Sequence, residues 1–338
     1  MKAVREILYK VNINKVIGDT STLIRNIVCD SRKVKQKDLY VAINGVNIDG
    51  HNYIDSAIKK GATCIVCEIL PNKIEDDVLY VEVESTRSSL GIISSNYFLD
   101  PSSKLKLIGI TGTNGKTTIA TLLYNLYKNA GLRTGLISTV INYIDEQEIE
   151  SHQTTPDSLT INNLLSKMVE NDIQYCFMEV SSHGIEQKRI SGLQFAGGVF
   201  SNLTHDHLDY HSNFEKYRDV KKDFFDNLSS DAFSIVNKDD KNGMYMVQNT
   251  NSKVFTYGLK TYADYKTKIL ESSLEGMLLK INENEFWTNL SGKFNAYNLL
   301  AVFSTATILG MPLSETLKLM SMLTSIKGRF EYLKLNDI

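Results

Sequence analysis

The stretch "FSNLTHDHLDYH", residues 200–211, crowds three histidines and two aspartates into seven positions behind an apolar run. His205, His207, Asp209 and His211 nearly spell the HxHxDH signature of binuclear zinc hydrolases, but Tyr210 separates an aspartate and a histidine that the signature keeps adjacent. A second stretch, "GTNGKTT" at 112–118, offers different chemistry. Backbone N–H groups turned inward by Gly112 and Gly115, together with the positive end of a following helix, can hold polyphosphate oxygens. Lys116 can neutralise the β- and γ-phosphates of a nucleoside triphosphate, and Thr117 can offer its hydroxyl to Mg2+. Ile110 stands where the usual G-x-x-x-x-G-K-[ST] pattern has glycine. A third stretch, "MEVSSH" at 178–183, places Glu179 just after an apolar run, where a carboxylate can hold Mg2+ against phosphates. A zinc cage has no use for a triphosphate loop. With the loop and the carboxylate preceding the histidines, the expected metal is Mg2+ on oxygen ligands, joined by one histidine while the other two bond within their own loop.

These groups need a scaffold that brings them to one place. "KLKLIGI", the phosphate loop and "IATLLYNLYKNAG" read as strand, glycine-bearing loop and helix, the context that such a loop requires. Further strands follow at "GLISTV", "YCFMEVSS", "AGGVFSNL" and "AFSIVN", alternating with helices over "SLTINNLLSKMVEN" and "FEKYRDVKKDFFDNL". That alternation predicts a mainly parallel sheet covered on both faces, with Glu179 at its carboxyl edge. From "KVFTYG" to "EFWTNL" the runs shorten and predict antiparallel strands, before helices over "NAYNLLAVFSTATILG" and "LSETLKLMSML". The first hundred residues read as a smaller α/β unit, whose last helix, "TRSSLGIISSNYFL", ends at Asp100-Pro101, a linker-like junction.

Composition narrows the classes. A chain of 338 residues has room for two domains, and a formal net charge of −2 gives no bulk basicity for nucleic acid or a membrane surface. The start "MKAVREILYK" is no signal peptide, and nothing approaches the roughly 20 apolar residues of a spanning helix. A cytoplasmic monomer is expected. Four cysteines make no disulfide framework, and Cys64 and Cys67 in "GATCIVCEIL" sit among strand formers, so they read as buried strand residues.

Taken together, "TGTNGKTT", "QTTPD", "EVSSHGIEQKRI", "FSNLTHDHLDYH", "YRDVKKDFF" and "SGKFNAYNLLAV" occur in the order and spacing of the Mur ligases, and the chain resembles the MurE branch of that family. "CDSRKVKQKDLYVAINGVNIDGHNYIDSAIKKGA" is similar to the family's UDP-binding domain. The resemblance implies a UDP-sugar-binding α/β domain over 1–101, an ATP-binding central domain of P-loop ATPase type over 102–330, and a linker from 331 to 338. It implies an ATP-dependent ligase of peptidoglycan synthesis that phosphorylates the terminal carboxylate of UDP-MurNAc-L-Ala-D-Glu and joins an incoming amino acid to it. Meso-diaminopimelate and L-lysine both stay open as that amino acid.

By residue, Gly112, Thr113, Asn114, Gly115, Lys116, Thr117 and Thr118 match the ATP loop, and Glu179 and His207 match the magnesium ligands. Two Mg2+ ions are implied. Lys221 matches a carbamylated lysine; Lys222 beside it points about 100° away on a helix, so only one of the two can face the site. Ser31 matches the uridine-side serine, and Thr154, Thr155, Ser181, Gln187 and Arg189 match substrate contacts of the central domain. Asn295 and Asn298 match adenine-side positions, and Arg329 matches an arginine near the ATP phosphates. The family's third, Rossmann-like domain, which selects the amino acid, has no counterpart before Ile338, so the chain is expected to be truncated and inactive in ligation by itself. Two other readings share the loop: a sister ligase of the folylpolyglutamate synthetase kind, and a nucleotide-binding module without activity.

Overall fold

The computed structural model describes residues 1–45, 48–204 and 213–326, and the chain forms two compact units. The first holds Met1–Lys104 together with Pro156–Lys167 and Glu186–Leu193; the second holds Leu105–Thr155, Met168–Ile185 and the chain from Gln194 on.

In the first unit, β1 (Ile13–Ile17), β2 (Ile27–Val28), β3 (Asp38–Val41), β4 (Ala62–Cys67) and β5 (Leu79–Val83) lie in the order β1-β5-β4-β3-β2. All pairs are parallel except β1 with β5. Helices α1 (Ile54–Lys59) and α2 (Thr86–Tyr97) complete the α/β pattern. Successive side chains of a strand face opposite ways, so Cys64 and Val66 enter one core while Ile65 and Cys67 enter the other. Cys64 and Cys67 therefore point to opposite faces as free thiols, and burial pushes both up, Cys67 to about 12. The C-x-x-C spacing is packing. At the junction, Pro101–Ser103 form a 3-10 turn with Pro101 and Ser102 buried, tighter than the linker that the Asp-Pro pair suggested.

The second unit is built on β6 (Lys106–Thr111), α3 (Lys116–Asn129), β7 (Thr134–Ile137), β8 (Ile141–Ile144), β9 (Gln147–Glu150), then, after α4 (Ser158–Glu170), most of which belongs to the first unit, on β10 (Tyr175–Glu179), α5 (Ser182–Glu186), β11 (Gly197–Phe200), α6 (Phe214–Asp226), β12 (Phe233–Asn237), β13 (Lys253–Gly258), β14 (Tyr265–Ser272), β15 (Met277–Ile281), β16 (Asn284–Thr288), α7 (Lys293–Ile308) and α8 (Leu313–Ser321). The strands form one sheet in the order β9-β8-β7-β10-β6-β11-β12-β13-β14-β15-β16. Pairing is parallel from β7 across to β14 and antiparallel at both ends. One expectation fails: "KVFTYG" is β13, parallel to both neighbours. The connection over 238–252 carries the chain back to the end where β12 began, which an antiparallel hairpin does not do. The polar hairpin of β8 and β9 gave no apolar run to read.

β6 is central, with β10 and β11 on its two sides, so the carboxyl ends of three parallel strands open on one edge. One face of the sheet is covered by α3 and α7, through Leu122, Leu123, Leu126, Leu299, Leu300 and Phe303 against Ile108 and Ile110. α6 is seated by two facing glycines. Gly109 of β6 and Gly198 of β11 are register partners, and a Cβ on them would meet the Phe224 ring at 2.5 and 2.8 Å. Phe224 thus rests on bare backbone, which fixes how close α6 and its lysines come to the strand ends. Gly109→Ala overpacks this contact and is expected to lower stability by about 1–3 kcal/mol, read as a shifted urea midpoint at unchanged m.

Candidate active site

β6 ends in the phosphate loop. Ile110, the departure from the usual pattern, is a fully buried strand residue paired with Glu179 and Val199, so the loop proper starts at Gly112. Gly112 (φ +142°) and Gly115 (φ +89°) take conformations that side chains resist. They also lie against neighbours: a Cβ at Gly112 would sit 2.0 Å from Ser201 Oγ, and one at Gly115 would sit 2.6 Å from Asn298 Oδ1. α3 starts at Lys116 with Gly115 as its N-cap. The first turn of a helix has no carbonyls of its own for its N–H groups, and its dipole is positive there, so this end favours anions. The N–H groups of Thr113 and Asn114 go elsewhere, to Asn202 O (2.8 Å) and Asn202 Oδ1 (3.0 Å). An anion at this loop would therefore meet the N–H groups of the helix start more than those of the loop's first half.

Lys116 Nζ donates to Gly112 O (3.0 Å) and Thr113 O (2.8 Å). From α6, Lys221, only 1% exposed, donates to the same Gly112 O at 3.0 Å and lies 4.8 Å from the centre of the Tyr217 ring. The buried Tyr217 hydroxyl in turn is 3.1 Å from Thr113 Oγ1. Lys222 turns away and pairs with Asp226 one turn on, at 2.6 Å. Of the two adjacent lysines, Lys221 faces the loop.

Glu179 ends β10 with no exposure at all. Its carboxylate accepts from Thr117 Oγ1 (3.0 Å), Thr139 N (2.8 Å) and Thr139 Oγ1 (3.0 Å), and Thr154 Oγ1 lies 3.1 Å from Thr139 Oγ1. A threonine hydroxyl that gives its proton to Glu179 keeps its lone pairs for a cation. Thr117 and Glu179 are hard oxygen donors, the kind that Mg2+ takes, so the residues present fit that ion. Among the described residues no three His, Cys, Asp or Glu side chains gather in a metal-binding group. His205, His207, Asp209, His211 and Arg329 lie outside the described residues.

The 153–156 loop packs on the end of β10. Thr155, 1% exposed, donates to Glu179 O (2.8 Å) and accepts from Ser181 N (2.9 Å), and Ser181 Oγ accepts from Gly184 N (3.1 Å). Both hydroxyls are engaged inside the protein and shape the loop around Thr154. Gln187 and Arg189 lie in the 186–193 segment, which packs within the first compact unit: a Cβ at Gly91 of α2 would meet Ser191 O at 2.3 Å. Arg189 directs Nε (3.2 Å) and Nη2 (2.8 Å) at Gln187 Oε1. Ser31, also of the first unit, is buried, and its carbonyl accepts from Lys60 Nζ (3.0 Å). The neighbouring Arg32 guanidinium holds the Asp30 carboxyl down at about 2.

Beside the loop is a cavity of about 560 Å3 lined by Asn114, Gly115, Thr118, Asn202, Phe294, Asn295, Tyr297 and Asn298, among others. Asn295 and Asn298 are both buried on α7, and Asn298 Nδ2 donates to Asn295 Oδ1 (3.2 Å). Asp239, which follows β12, fixes the cavity wall: it accepts from Leu259 N–H, and bonds from the Thr261 hydroxyl (2.6 Å), the N–H groups of Thr261 and Lys260 and Tyr297 OH (2.8 Å) hold its carboxyl well below the usual range. Thr139, Ser201, Asn202, Tyr217 and Asp239 escaped the sequence reading. The rule that ligands bind at the carboxyl ends of parallel strands pointed to Thr139, just past β7; no comparable signal marked the others.

Thr117→Val keeps the shape but takes one donor from a fully buried carboxylate. It is expected to destabilise the ligand-free protein by about 1.5–3 kcal/mol, with Thr117→Ser near wild type, both measured by urea unfolding.

Comparison with known proteins follows from this geometry. The chain matches the Mur ligase middle domain over residues 110–306 and the catalytic domain of the Mur ligase family over residues 23–99. It is 50% identical over 329 residues to the UDP-N-acetylmuramoyl-L-alanyl-D-glutamate--2,6-diaminopimelate ligase of Phocaeicola vulgatus, covering 97% of this chain and 68% of that protein. The identity to a protein of the same name with suffix 1 from Clostridium acetobutylicum is 39% over 331 residues, again 97% and 68%. A solved structure titled as such a diaminopimelate ligase superposes with a TM-score of 0.82 at 24% identity, covering 99% of this chain and 69% of that one. A structure of MurF from Acinetobacter baumannii reaches 0.65 at 18% identity, covering 92% and 65%.

Proposed function

The chain belongs to the Mur ligase family, and from that premise we propose that it binds ATP and UDP-MurNAc-L-Ala-D-Glu for the ATP-dependent addition of a third amino acid to the peptide. One observation carries the reading: Lys116 and Lys221 meet at the carbonyl of Gly112, and Thr117 meets Glu179, at one edge of the sheet and beside a cavity of about 560 Å3. In the proposed reaction an oxygen of the terminal D-Glu carboxylate attacks the γ-phosphorus, and the bond to the leaving ADP breaks. The amine of the incoming amino acid then attacks the acyl carbon, loses a proton and expels phosphate. Two anions must approach each other in the first step, so positive charge has to crowd the γ-phosphate. Lys116 supplies some of it, and the start of α3 holds the phosphate oxygens.

Thr117 and Glu179 are the residues that would hold Mg2+, with His207 as a further ligand; when bound, the ion supplies charge neutralisation between the phosphate and the carboxylate. A second ion goes with carbamylation of Lys221. There the neutral amine adds to the carbon of CO2, releases one proton and becomes an anion, which suits a buried lysine beside a cation site. Asn295 and Asn298 read the adenine from the cavity wall, and Arg329 is assigned to the ATP phosphates by its match to the family pattern. Ser31 and Arg189 serve the uridine diphosphate, and Thr154 and Gln187 the peptide side. For the acceptor amino acid we take 2,6-diaminopimelate over lysine, in keeping with the names of the relatives at 48–50% identity. Among the described residues no helix is long and apolar enough to cross a membrane.

Calorimetric titration tests the pairing of ligands. The 338-residue chain is expected to bind Mg-ATP and UDP-MurNAc-L-Ala-D-Glu but no folyl substrate, and Lys116→Ala to weaken ATP at least about 100-fold, in line with several kcal/mol of charge stabilisation. Binding of a folyl substrate in place of the UDP-sugar overturns the assignment. Native mass spectrometry at high bicarbonate is expected to show a labile 44 Da adduct that Lys221→Ala removes.

A further inference from the structure

The phosphate loop is held from outside as well as by its own turn. Residues Ser201–Thr204, the tail of β11, run along its first half. Thr113 N donates to Asn202 O (2.8 Å), Thr204 N donates to Thr113 Oγ1 (3.0 Å), and Ser201 Oγ donates to Asn114 O (2.5 Å). The Asn202 side chain closes the set. Its Oδ1 accepts from Asn114 N (3.0 Å) and its Nδ2 donates to Asn114 O (3.1 Å), so one carboxamide engages both backbone polar groups of one loop residue, as a neighbouring strand does. The tail is anchored on its far side too: Asn237 Nδ2 donates to Ser201 O (2.9 Å) and Leu203 N donates to Asp240 Oδ2 (2.8 Å).

We propose that Asn202 is a positioning residue that holds the phosphate loop in its anion-accepting shape before any nucleotide arrives. A glycine-bearing loop left to itself samples many conformations, and a ligand that has to order it binds more weakly. Asn202 removes that freedom at Asn114 without touching the N–H groups of the helix start. Its half-buried position on the cavity wall allows it to do so next to the phosphates while the hydrogen bonds stay within the protein. The proposal rests on the reading that 112–118 receives the phosphates of ATP.

Asn202→Ala tests it in two ways that need no catalysis. Amide exchange of ligand-free protein, followed by NMR, is expected to quicken at Asn114 by about tenfold or more, while Thr113, bonded to the backbone carbonyl of residue 202, changes far less. Titrations are expected to show ATP weakened about tenfold and adenosine, which has no phosphates, unchanged within twofold. A general loss of structure weakens both ligands alike and quickens exchange throughout the sheet, and that result overturns the proposal. So does an Asn114 exchange rate, or an ATP affinity, within twofold of wild type. If wild-type protein shows no ATP-dependent change at Gly115–Thr118, the phosphate reading fails and the proposal falls with it; the exchange rate at Asn114 still reports by itself whether the Asn202 contact holds the loop.

Discussion

The carbonyl of Gly112 receives two ammonium groups, and the site is organised around that point. Lys116 reaches it from the helix that follows the loop, and Lys221 reaches it from a helix more than a hundred residues later. Two cations on one oxygen repel each other, and almost no water reaches Lys221 to screen them. The Glu179 carboxylate, at the end of β10, is matched to hydroxyl and N–H donors from Thr117 and Thr139.

Holding two lysines there takes unusual packing. α6 approaches the sheet only because Gly109 and Gly198 face each other across two strands and leave room for Phe224. One and two turns earlier on the same helix, Lys221 and Tyr217 bond to the loop, and Lys222 is drawn off by Asp226. The first half of the loop is fixed by residues 201–204, and its second half runs into the start of α3. Removal of either support leaves polar groups of a tight turn without partners in a partly buried place, which is why the surrounding bonds are so many.

Much of this scaffold was legible in the chain. The alternation of apolar runs with helical spacing gave a parallel sheet, and the glycines around Lys116 gave the loop, because both are local patterns that backbone geometry imposes. Glu179 could be set beside Thr117 from the rule that parallel strands share a carboxyl edge. The strand β13 was misread because pairing direction depends on where a connection returns, and its residues carry no mark of that. Gln187 and Arg189 lie in the stretch that matches the Mur ligase middle domain, yet their segment packs within the first compact unit, with Ser191 against Gly91, and no local pattern marks that return.

The sequence by itself determined the order of elements, the phosphate loop and the family motifs, since each is written in residues close together along the chain. Which lysine of an adjacent pair faces the loop followed only from the family pattern until Phe224 was seen on its glycines. Thr139 on Glu179, Tyr217 on Thr113 and Asn202 on Asn114 were decided by tertiary structure alone. Those bonds join residues 40 to 104 positions apart, and a hydrogen bond depends on distance and angle, which no local spacing encodes.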